Sequence, residues 1–422
     1  MASSSSSYSV MLRLICSKGI FGSSSNYCIF GKWSARSCAS RFNRRALCTA
    51  TNSSPWLMLP PKSKFKADTM SCEFYSLANN KVQTHCFSDE IHDLRLTTCR
   101  GSSHGWLALL SHDGFFLYNP ISRRHIKLPS ILNLPTDDPY EEFLKSARSV
   151  TKVILSCSPD EDEDNCRVLI VRGWDNAPAF CCPGRSKEWT VMLGEQSGRK
   201  RFYIDCVYSS RLKLFFALTN DRKLETWVLG DLSSPKLIKV DETNINQGHF
   251  YSLFHTFVPF ICEMKEHLVV VKDDLLLVIQ YIMDNVGPDG SYCDNLDKHY
   301  SLYMTIGFDI FKYDDSEKGK FEYLDSSSLG DLAIFVGSHS HSVAIQATEF
   351  LGVKPNSVYF TDGMYTGTLE GDEWFVYFEE FCCGHDIGIY NYQDKTVSPC
   401  YYPCDVPSVK TILPAPIWFF PN

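Results

Sequence analysis

Residues 106–118 read WLALLSHDGFFLY, and this stretch decides the fold class. Two short apolar runs, 106–110 and 115–118, flank the polar triplet His112-Asp113-Gly114. An Asp-Gly pair between apolar runs is a strong hairpin signal, because a tight turn needs positive φ angles that Asp and Gly adopt readily. The stretch therefore predicts two antiparallel β-strands joined by a short turn.

The same arrangement recurs along the chain. Consecutive hairpins without crossover helices leave two main architectures, a β-sandwich or a β-propeller. About two dozen short strands exceed an ordinary sandwich and suit about six four-stranded blades, with seven also possible. We therefore expect an all-β fold, a single β-propeller. The further hairpins are predicted at 153–157 with 166–171, 214–218 with 224–229, 268–271 with 275–282, 332–336 with 343–347, and 387–390 with 396–397.

A degenerate repeat supports the ring. Leu117-Tyr118-Asn119, Phe311-Lys312-Tyr313-Asp314 and Ile389-Tyr390-Asn391 each end an apolar strand on an aromatic residue and an Asn or Asp turn. A basic residue and another apolar strand follow each of them, as expected for a unit repeated around a ring. We expect the terminal strand, 417–420, to close the ring against early strands, because an open ring would expose edge hydrogen bonds.

The N-terminal segment has the composition of an organellar transit peptide. Residues 1–67 contain no Asp or Glu, and serine is abundant. This composition predicts a disordered transit peptide over 1–50 and a propeller domain over 51–422. Arginines near 41–45 favour a mitochondrial destination, whereas the serine run at 3–7 keeps a chloroplast or dual destination open. The basic residues within 1–50 are Arg13, Lys18, Lys32, Arg36, Arg41, Arg44 and Arg45.

Charge and apolar patterning argue against binding to nucleic acid and against a membrane span. The net charge is -8, and no basic stripe follows the first stretch of chain, so binding to nucleic acid through phosphate neutralisation has little support. The longest apolar run, 268–283, is broken by Lys272, Asp273 and Asp274, which argues against a membrane span. We expect a monomer whose partners are unknown proteins.

Cysteine usage agrees with a reducing compartment. Four of the 18 cysteines, Cys16, Cys28, Cys38 and Cys48, lie in the transit segment. The others show no regular spacing, so we expect small buried side chains rather than a disulfide framework.

Short strings from about Trp56 to Pro421 follow one another in a fixed order. They are PWLMLP at 55–60, FYSL at 74–77, GSSHGWL at 101–107, LYNP at 117–120, KLP at 127–129, SLGD at 328–331, PNSVYFTD at 355–362, IGIYN at 387–391 and PIWF at 416–419. Through these strings the chain resembles a plant family, the F-box-associated domain of unknown function 295, and the resemblance implies a β-propeller. An F-box, a short helical module, precedes the propeller in members that serve as ubiquitin-ligase adaptors. Here the transit segment takes that place, so the resemblance implies an organellar branch of the family without the F-box.

Two motifs suggest anion or cation binding, and both have simpler interpretations. Gly101, His104 and Gly105 could form a phosphate loop, but no strand-loop-helix context follows, so we predict a turn at the start of a strand and Trp106 packed between blades. The acidic run 160–164 could hold a divalent cation, but it lacks the spacing of a calcium loop. We predict a solvated hairpin tip there.

A third motif contains zinc-type ligands. Cys382, Cys383 and His385, with Cys400 and Cys404 beyond, offer the thiolate and imidazole groups that zinc prefers. Adjacent cysteines on a strand point to opposite faces and rarely chelate one ion, so we predict no metal and no cofactor.

Catalytic chemistry has no clear pattern. Ser76, Ser103 and Ser328 lie in no nucleophile-elbow context, and we predict no catalytic residue. His339 and His341 are expected in a surface turn. Asp331 and Asp362 are expected to accept hydrogen bonds from backbone N–H groups in turns.

These observations predict a non-enzymatic interaction platform whose loops bind a protein or peptide. The alternative is a small-ligand binder or an enzyme that uses the propeller channel. A ubiquitin-ligase substrate adaptor is a third possibility, and it would require an F-box. Convergent charged or His side chains in an open channel would favour chemistry, and a plugged channel would favour a platform.

Overall fold

Six β-sheets form a ring in the computed structural model of the chain. Within the residues that the structure describes, the regular elements are strands, apart from short 3-10 turns at Asp315–Glu317 and Ala347–Glu349. The expected all-β, six-bladed propeller is therefore confirmed. The structure describes residues 53–60, 71–86, 98–111, 114–131, 134, 150–172, 178–192, 203–229, 235–245, 250, 262–287, 302–317, 320–325, 327–362, 384–404, 408–412 and 414–421.

The first three blades follow the chain in order. Each is a four-stranded antiparallel sheet, and the first is completed by the last strand of the chain. Blade 1 contains β1 (Trp56–Leu59), β2 (Ser71–Ser76) and β3 (Lys81–Cys86); blade 2 contains β4 (Thr98–Ser103), β5 (Trp106–Ser111), β6 (Gly114–Tyr118) and β7 (His125–Lys127); blade 3 contains β8 (Val150–Leu155), β9 (Val168–Arg172), β10 (Ala179–Cys181) and β11 (Thr190–Val191).

Blades 4 and 5 repeat this plan, whereas blade 6 has five strands in the order β21-β20-β22-β23-β24. Blade 4 contains β12 (Tyr203–Ser209), β13 (Leu214–Thr219), β14 (Lys223–Val228) and β15 (Lys236–Glu242); blade 5 contains β16 (Cys262–Val271), β17 (Asp274–Val286), β18 (Leu302–Asp314) and β19 (Lys320–Tyr323); blade 6 contains β20 (Leu332–Val336), β21 (Val343–Gln346), β22 (Ser357–Phe360), β23 (Gly388–Asn391) and β24 (Thr396–Ser398); β25 is Ile417–Phe419.

The hairpins predicted from the apolar runs are present. The Asp-Gly hairpin pairs β5 with β6, and the other pairs are β8 with β9, β13 with β14, β16 with β17, β20 with β21 and β23 with β24. The apolar run 268–283 therefore forms parts of two antiparallel strands. Among the described residues, no helix is long and apolar enough to cross a membrane.

The degenerate repeat marks one recurring turn. Asn119 Oδ1 accepts the N–H groups of Ile121 and Ser122, and Asn391 Oδ1 accepts those of Gln393 and Asp394. Side chains that bond the backbone two or three residues ahead stabilise tight turns. The basic residues after these turns, Arg123 and Lys395, have φ angles of 59° and 56° and let the chain reverse into the next strand.

The core lies between blades rather than inside any one sheet. Each apolar cluster joins neighbouring blades, and Trp106, fully buried, contributes to the one between blades 2 and 3. Other clusters join blades 1 and 2, blades 3 and 4, blades 4 to 6, and blades 6 and 1. Each fully buried aliphatic or aromatic side chain stabilises the fold by about 1.5–3 kcal/mol, so the ring is held mainly by these layers.

Blade 6 departs from the regular plan at its centre. β20 pairs with β22 in parallel, and β21 runs antiparallel to β20 on the other side. β21 thereby becomes the innermost strand of its blade and contacts β16, the innermost strand of blade 5. The connection between β20 and β21 is consequently brought to the propeller axis.

The C-terminal strand closes the ring, as the sequence predicts. β25 pairs antiparallel with β1, with Trp56 opposite Phe419 and Met58 opposite Ile417. Trp418 is fully buried, and Phe335 of blade 6 meets its ring edge-on at 5.0 Å. One short strand therefore pairs with the backbone hydrogen-bonding groups at the edge of β1 and fills the junction between blades 6 and 1.

Deletion of residues 414–422 should lower the melting temperature strongly or make the protein insoluble, because it exposes the edge of β1 and removes three buried side chains. Differential scanning calorimetry or aggregation during purification would measure this. The substitution Trp418→Ala should cost about 3–5 kcal/mol of unfolding free energy. Val82→Ala, at an exposed position of β3, should change it by less than about 0.5 kcal/mol. An unchanged melting temperature after the deletion would contradict ring closure.

Candidate functional site at the propeller axis

Six inner strands surround the axis. Around the ring, β25, β4, β8, β12, β16 and β21 contact one another in this order. Residues 337–342, which join β20 to β21, cross the space that these strands enclose, and we call them the axial segment. Ser340 and Ser342 of the segment are 1% and 2% exposed. The chain itself therefore occupies the centre of the propeller.

Backbone hydrogen bonds hold the axial segment to blade 2. Ser102 N donates to the His339 carbonyl at 3.3 Å, and His341 N donates to the Ser102 carbonyl at 2.9 Å, which forms a parallel bridge between Ser340 and Ser102. Gly101 permits this approach, because a Cβ there would lie 3.0 Å from Val153 Cβ and 3.2 Å from the His339 carbonyl oxygen.

Side chains extend the attachment to other blades. Ser340 Oγ accepts the Trp418 N–H of blade 1 at 3.0 Å, and His339 Nδ1 lies 3.1 Å from the Thr151 carbonyl of blade 3. Ser338 Oγ donates to the Asp362 carbonyl at 3.0 Å. The hydroxyl groups of Ser338 and Ser340 are therefore each directed at a fixed backbone group.

A buried ion pair continues this network across three blades. Lys152 of β8 donates to Ser342 Oγ at 3.4 Å and forms a salt bridge with Asp205 of β12. Asp205 also accepts the N–H of Cys206 at 2.8 Å and that of Leu268, in blade 5, at 2.7 Å. Because both charges are buried, each depends on the other and on these hydrogen bonds for compensation.

Ser103 lies between two imidazoles beside the axial segment. Its Oγ is 2.9 Å from His104 Nδ1 and 3.3 Å from His341 Nδ1, and it accepts the Leu155 N–H at 3.1 Å. The His104 and His341 rings stack with centroids 5.4 Å apart. Removal from water lowers the pKa of His104 to about 4 and that of His341 well below its ordinary value, so both rings are neutral near pH 7.

Serine beside a neutral imidazole is the pair used by many nucleophilic enzymes. Ser103, however, is only 4% exposed, and its hydroxyl joins the ends of β4 and β8. The arrangement therefore suits a structural link between blades 2 and 3 better than attack on a substrate.

A second polar group lies on the blade 5 to blade 6 side of the axis. Thr305 donates its N–H to Asp386 Oδ1 at 3.0 Å and its hydroxyl to Asp386 Oδ2 at 2.6 Å. Tyr303 donates its hydroxyl to Asp362 Oδ2 at 2.6 Å. Burial, followed by the charge of Asp362, raises the pKa of Asp386 to about 7. The two carboxyl groups are thus held by neighbouring residues of β18.

The structure corrects the expectation for the Ser/His turn. His339 and His341 do not lie in a surface turn, because blade 6 turns its innermost strand back and directs the connection into the axis. His339 is 9% exposed, and burial, with a contribution from the charge of Arg100, lowers its pKa to about 4. The run of polar residues at 338–342 is therefore a largely buried element of the fold.

The glycine motif forms a turn, as predicted. His104 and Gly105 have φ angles of 49° and 74° and connect β4 to β5. Two consecutive positive φ angles are typical of a type I′ hairpin turn. Trp106 packs between blades 2 and 3 and donates its indole N–H to Ser158 Oγ of the next blade at 3.2 Å.

The acidic run lies at the tip of the β8–β9 hairpin, where it faces basic side chains. Arg124 forms salt bridges with Asp160 and Glu163, and Arg185 forms one with Asp164. Asp162 binds the backbone and side chain of Asn165. The carboxylates are thus engaged with arginines and an amide rather than assembled around one point.

The zinc-type residues are only partly described. Cys382 and Cys383 lie outside the described residues. His385 Nε2 lies 2.9 Å from the Tyr303 carbonyl, and Cys404 is buried while Cys400 is half-buried. In the part of the chain that the structure describes, no three His, Cys, Asp or Glu side chains are grouped in a way that could hold a metal ion.

The remaining candidates lie apart from the axis. Ser76 ends β2, and Ser328 Oγ donates to Asp325 in an exposed turn at 2.7 Å. Asp331 accepts the Thr348 N–H at 3.3 Å, and Asp362 accepts the Asp386 N–H at 3.4 Å. Both aspartates accept backbone N–H groups, as predicted, but the donors lie 17 and 24 residues away along the chain rather than within the same turn.

Sequence reasoning missed the residues that connect the axial segment to the ring. Lys152, Asp205, Thr305 and Asp386 were not singled out, because each is a single polar residue in or beside an apolar strand. A buried charge within a strand is itself a usable signal, since Lys and Asp are rarely buried without a partner. Lys152 in the run TKVIL and Asp205 in the run YIDCV fit that description.

Comparison with known proteins places this architecture among plant propellers related to F-box proteins. The putative F-box protein At4g22660 of Arabidopsis thaliana is 20% identical over 409 residues, which cover 91% of this chain and 90% of that protein. The F-box/kelch-repeat protein At1g57790 of the same plant is 25% identical over 78% of this chain and 76% of its own. The F-box/kelch-repeat protein KIB1 of Arabidopsis thaliana is 37% identical over 18% of this chain and 20% of its own.

These similarities define a class, plant β-propellers related to F-box and kelch-repeat proteins. The chain belongs to the KIB1-4 beta-propeller family, whose sequence model matches residues 74–391. The match begins in β2 and ends at the last residue of β23, so it includes the axial segment.

Replacement of Lys152 by Met should lower the unfolding free energy by about 3–5 kcal/mol, because it leaves the buried Asp205 carboxylate without its counter-charge. The double variant Lys152→Met with Asp205→Asn should recover much of that loss. Urea unfolding followed by tryptophan fluorescence would measure both.

The matched control is Arg211→Met, which breaks an exposed salt bridge with Asp273 and should cost less than about 1 kcal/mol. A Lys152→Met variant as stable as this control would contradict the role of the buried pair.

Proposed function

We propose that this chain is an organelle-targeted, non-enzymatic β-propeller that serves as a platform for binding proteins. The observation that carries the proposal is the axial segment. Propellers that bind small ligands or catalyse reactions use polar groups in an accessible pocket. Here the chain's own residues occupy that position, and their polar atoms are engaged with the surrounding blades. The blade faces and turns are left for recognition.

One face offers a recognition surface. Strands within blades 2 to 5 alternate in direction, so the turns after their first and third strands lie on the same face. A contact between blades agrees with this placement. Arg211, in the turn after β12, forms a salt bridge with Asp273, in the turn after β16. The 347–356 connection reaches this face at blade 1, where Ser54 Oγ donates to the Leu351 carbonyl.

Exposed apolar side chains mark this face. Ile121, Leu212 and Leu351 lie in its turns and are 45%, 46% and 66% exposed. We call these three residues the turn-face residues. Large apolar side chains on rigid turns are the groups that anchor protein interfaces, because they lose little conformational freedom on binding.

The relatives support the same kind of role. Several are F-box or F-box/kelch-repeat proteins by name, which is compatible with a propeller that binds other proteins. The finer assignment, to an organellar branch of the family of domain of unknown function 295 without an F-box, rests on the strings quoted above and on the acid-free N-terminus. The partners are proteins, and nucleic acid and cofactors have no part in the proposal.

The platform can be tested by proximity labelling with the full chain in plant cells. The variant Ile121→Asp, Leu212→Asp, Leu351→Asp should lose at least about tenfold of the labelling of specific neighbours, because charges in an interface core are strongly unfavourable. The control is Val82→Asp with Ile238→Asp, which places charges at equally exposed positions of outer strands.

Equal labelling by both variants would contradict binding through the turn-face residues. Recovery of ubiquitin-ligase subunits would instead favour a substrate adaptor. A tightly bound small molecule, released from the purified protein on denaturation, would favour a channel ligand.

The targeting proposal has a separate test. Residues 1–50 fused to a fluorescent protein should direct it to mitochondria, because a positive, acid-free segment is drawn inward by a negative membrane potential. Replacement of Arg13, Arg36, Arg41, Arg44 and Arg45 by Gln in the same fusion should leave the signal in the cytosol. Confocal microscopy with organelle markers measures both. Signal in chloroplasts alone, or cytosolic signal from the unchanged segment, would contradict the mitochondrial assignment.

A further inference from the structure

Two cysteines lie opposite each other at the base of the acidic hairpin between β8 and β9. The register pairs Leu155 with Val168. One step outward, Ser156 N donates to the Arg167 carbonyl and Arg167 N donates to Ser156 Oγ, both at 2.9 Å. The next opposed pair is Cys157 and Cys166.

The contacts of the pair agree with this register. Cys166 Sγ lies 3.3 Å from the Cys157 carbonyl oxygen, and Cys166 N donates to the Asp162 carbonyl at 3.0 Å. Directly opposed residues of antiparallel strands have Cα atoms about 4.5–5.5 Å apart. Cys157 and Cys166 lie just beyond β8 and β9, where the Ser156–Arg167 hydrogen bonds continue the strand spacing, and disulfides span Cα separations of about 4.4–6.8 Å, so the register places the pair within disulfide range.

The two thiols differ in access and acidity. Cys157 is half-buried, and Cys166 is fully buried. The neighbouring Cys166 thiol lowers the pKa of Cys157 to about 7, with help from the Ser156 hydroxyl and against burial and the charges of Asp162 and Glu161. The interaction with Cys157 and burial raise the pKa of Cys166. Cys157 is thus the accessible nucleophile, and Cys166 is placed to react after it.

We propose that Cys157 and Cys166 form a reversible redox pair, which hydrogen peroxide oxidises to an intramolecular disulfide. The Cys157 thiolate attacks one peroxide oxygen, the O–O bond breaks, and sulfenic acid forms with release of hydroxide. The Cys166 thiol then loses its proton, its sulfur attacks the Cys157 sulfur, and the S–O bond breaks with release of water. Two thiols and one peroxide give one disulfide and two waters.

The disulfide would act on the hairpin tip that the pair supports. This tip contacts blade 2 through Arg124, and Asn119 Nδ2 donates to Asp160 Oδ2 at 2.9 Å. A covalent bond at the base restricts the tip in both the folded and the unfolded chain. Oxidation therefore fixes the position of an acidic rim element without altering the blades, whichever partner the propeller binds.

The test uses the purified full chain, reduced and then freed of reductant. Equimolar hydrogen peroxide at pH 7.5, followed by alkylation and peptide mass spectrometry, should show a 157–166 disulfide that dithiothreitol reverses. Cys157 should be oxidised at least about tenfold faster than Cys99, which is also half-buried but whose pKa is raised to about 12 by burial.

Variants separate the two steps. Cys166→Ser should accumulate sulfenic acid at Cys157, which dimedone traps, and Cys157→Ser should leave Cys166 unoxidised. Cys99→Ser should form the disulfide at the normal rate. A disulfide from Cys157 to another cysteine, oxidation no faster than that of Cys99, or oxidation of Cys166 in the Cys157→Ser variant would each overturn the proposal. None of these readouts depends on a binding partner, so they stand apart from the test of the platform.

Discussion

The pairing of β25 with β1 is the interaction on which the rest of the structure depends. Without β25, the first blade would lack its innermost strand, and the edge of β1 would be unpaired. The three residues of β25 close the ring, because Phe419 lies opposite Trp56 and Trp418 is fully buried. Once the circle is fixed, each blade has two neighbours, and the apolar layers between blades are enclosed on both sides. The axial segment can then bond to several blades at once.

The centre of the ring is polar, and the fold offsets the cost of burying these groups by pairing them. A buried Lys, a buried Asp and several imidazoles would each be unfavourable alone. Lys152 and Asp205 neutralise each other, and backbone N–H groups from two blades donate hydrogen bonds to the Asp205 carboxylate. The imidazoles stay neutral because their removal from water lowers their pKa values. A polar centre of this kind specifies one arrangement of blades, since a shifted blade would leave charges unpaired.

Much of the fold could be predicted from the sequence, and the axial site could not. The hairpins followed from local patterns: apolar runs of strand length and turn residues such as Asp113-Gly114. The Asn119 and Asn391 turns were visible for the same reason. His339 and His341 lie in a run of serine and histidine that looks like an exposed turn, because local polarity says nothing about partners far along the chain. Ser103 and His341 are 238 residues apart, and Lys152 and Ser342 are 190 apart. The Cys157 and Cys166 pair also went unnoticed, since their opposition depends on the strand register.

The contacts at the axis join residues that are far apart in the sequence, and this separation affects how the chain folds. Blades 2 to 5 are formed from contiguous sequence, whereas the middle of the ring is supplied by the last quarter of the chain. Bringing such remote segments together carries a loop-closure entropy that grows with their separation, and folding slows accordingly. During synthesis or passage through a narrow pore, an early intermediate would hold hydrophobic blades around an unfilled centre. Such intermediates aggregate readily, and this topology keeps their hydrophobic surface exposed until the last quarter of the chain is in place.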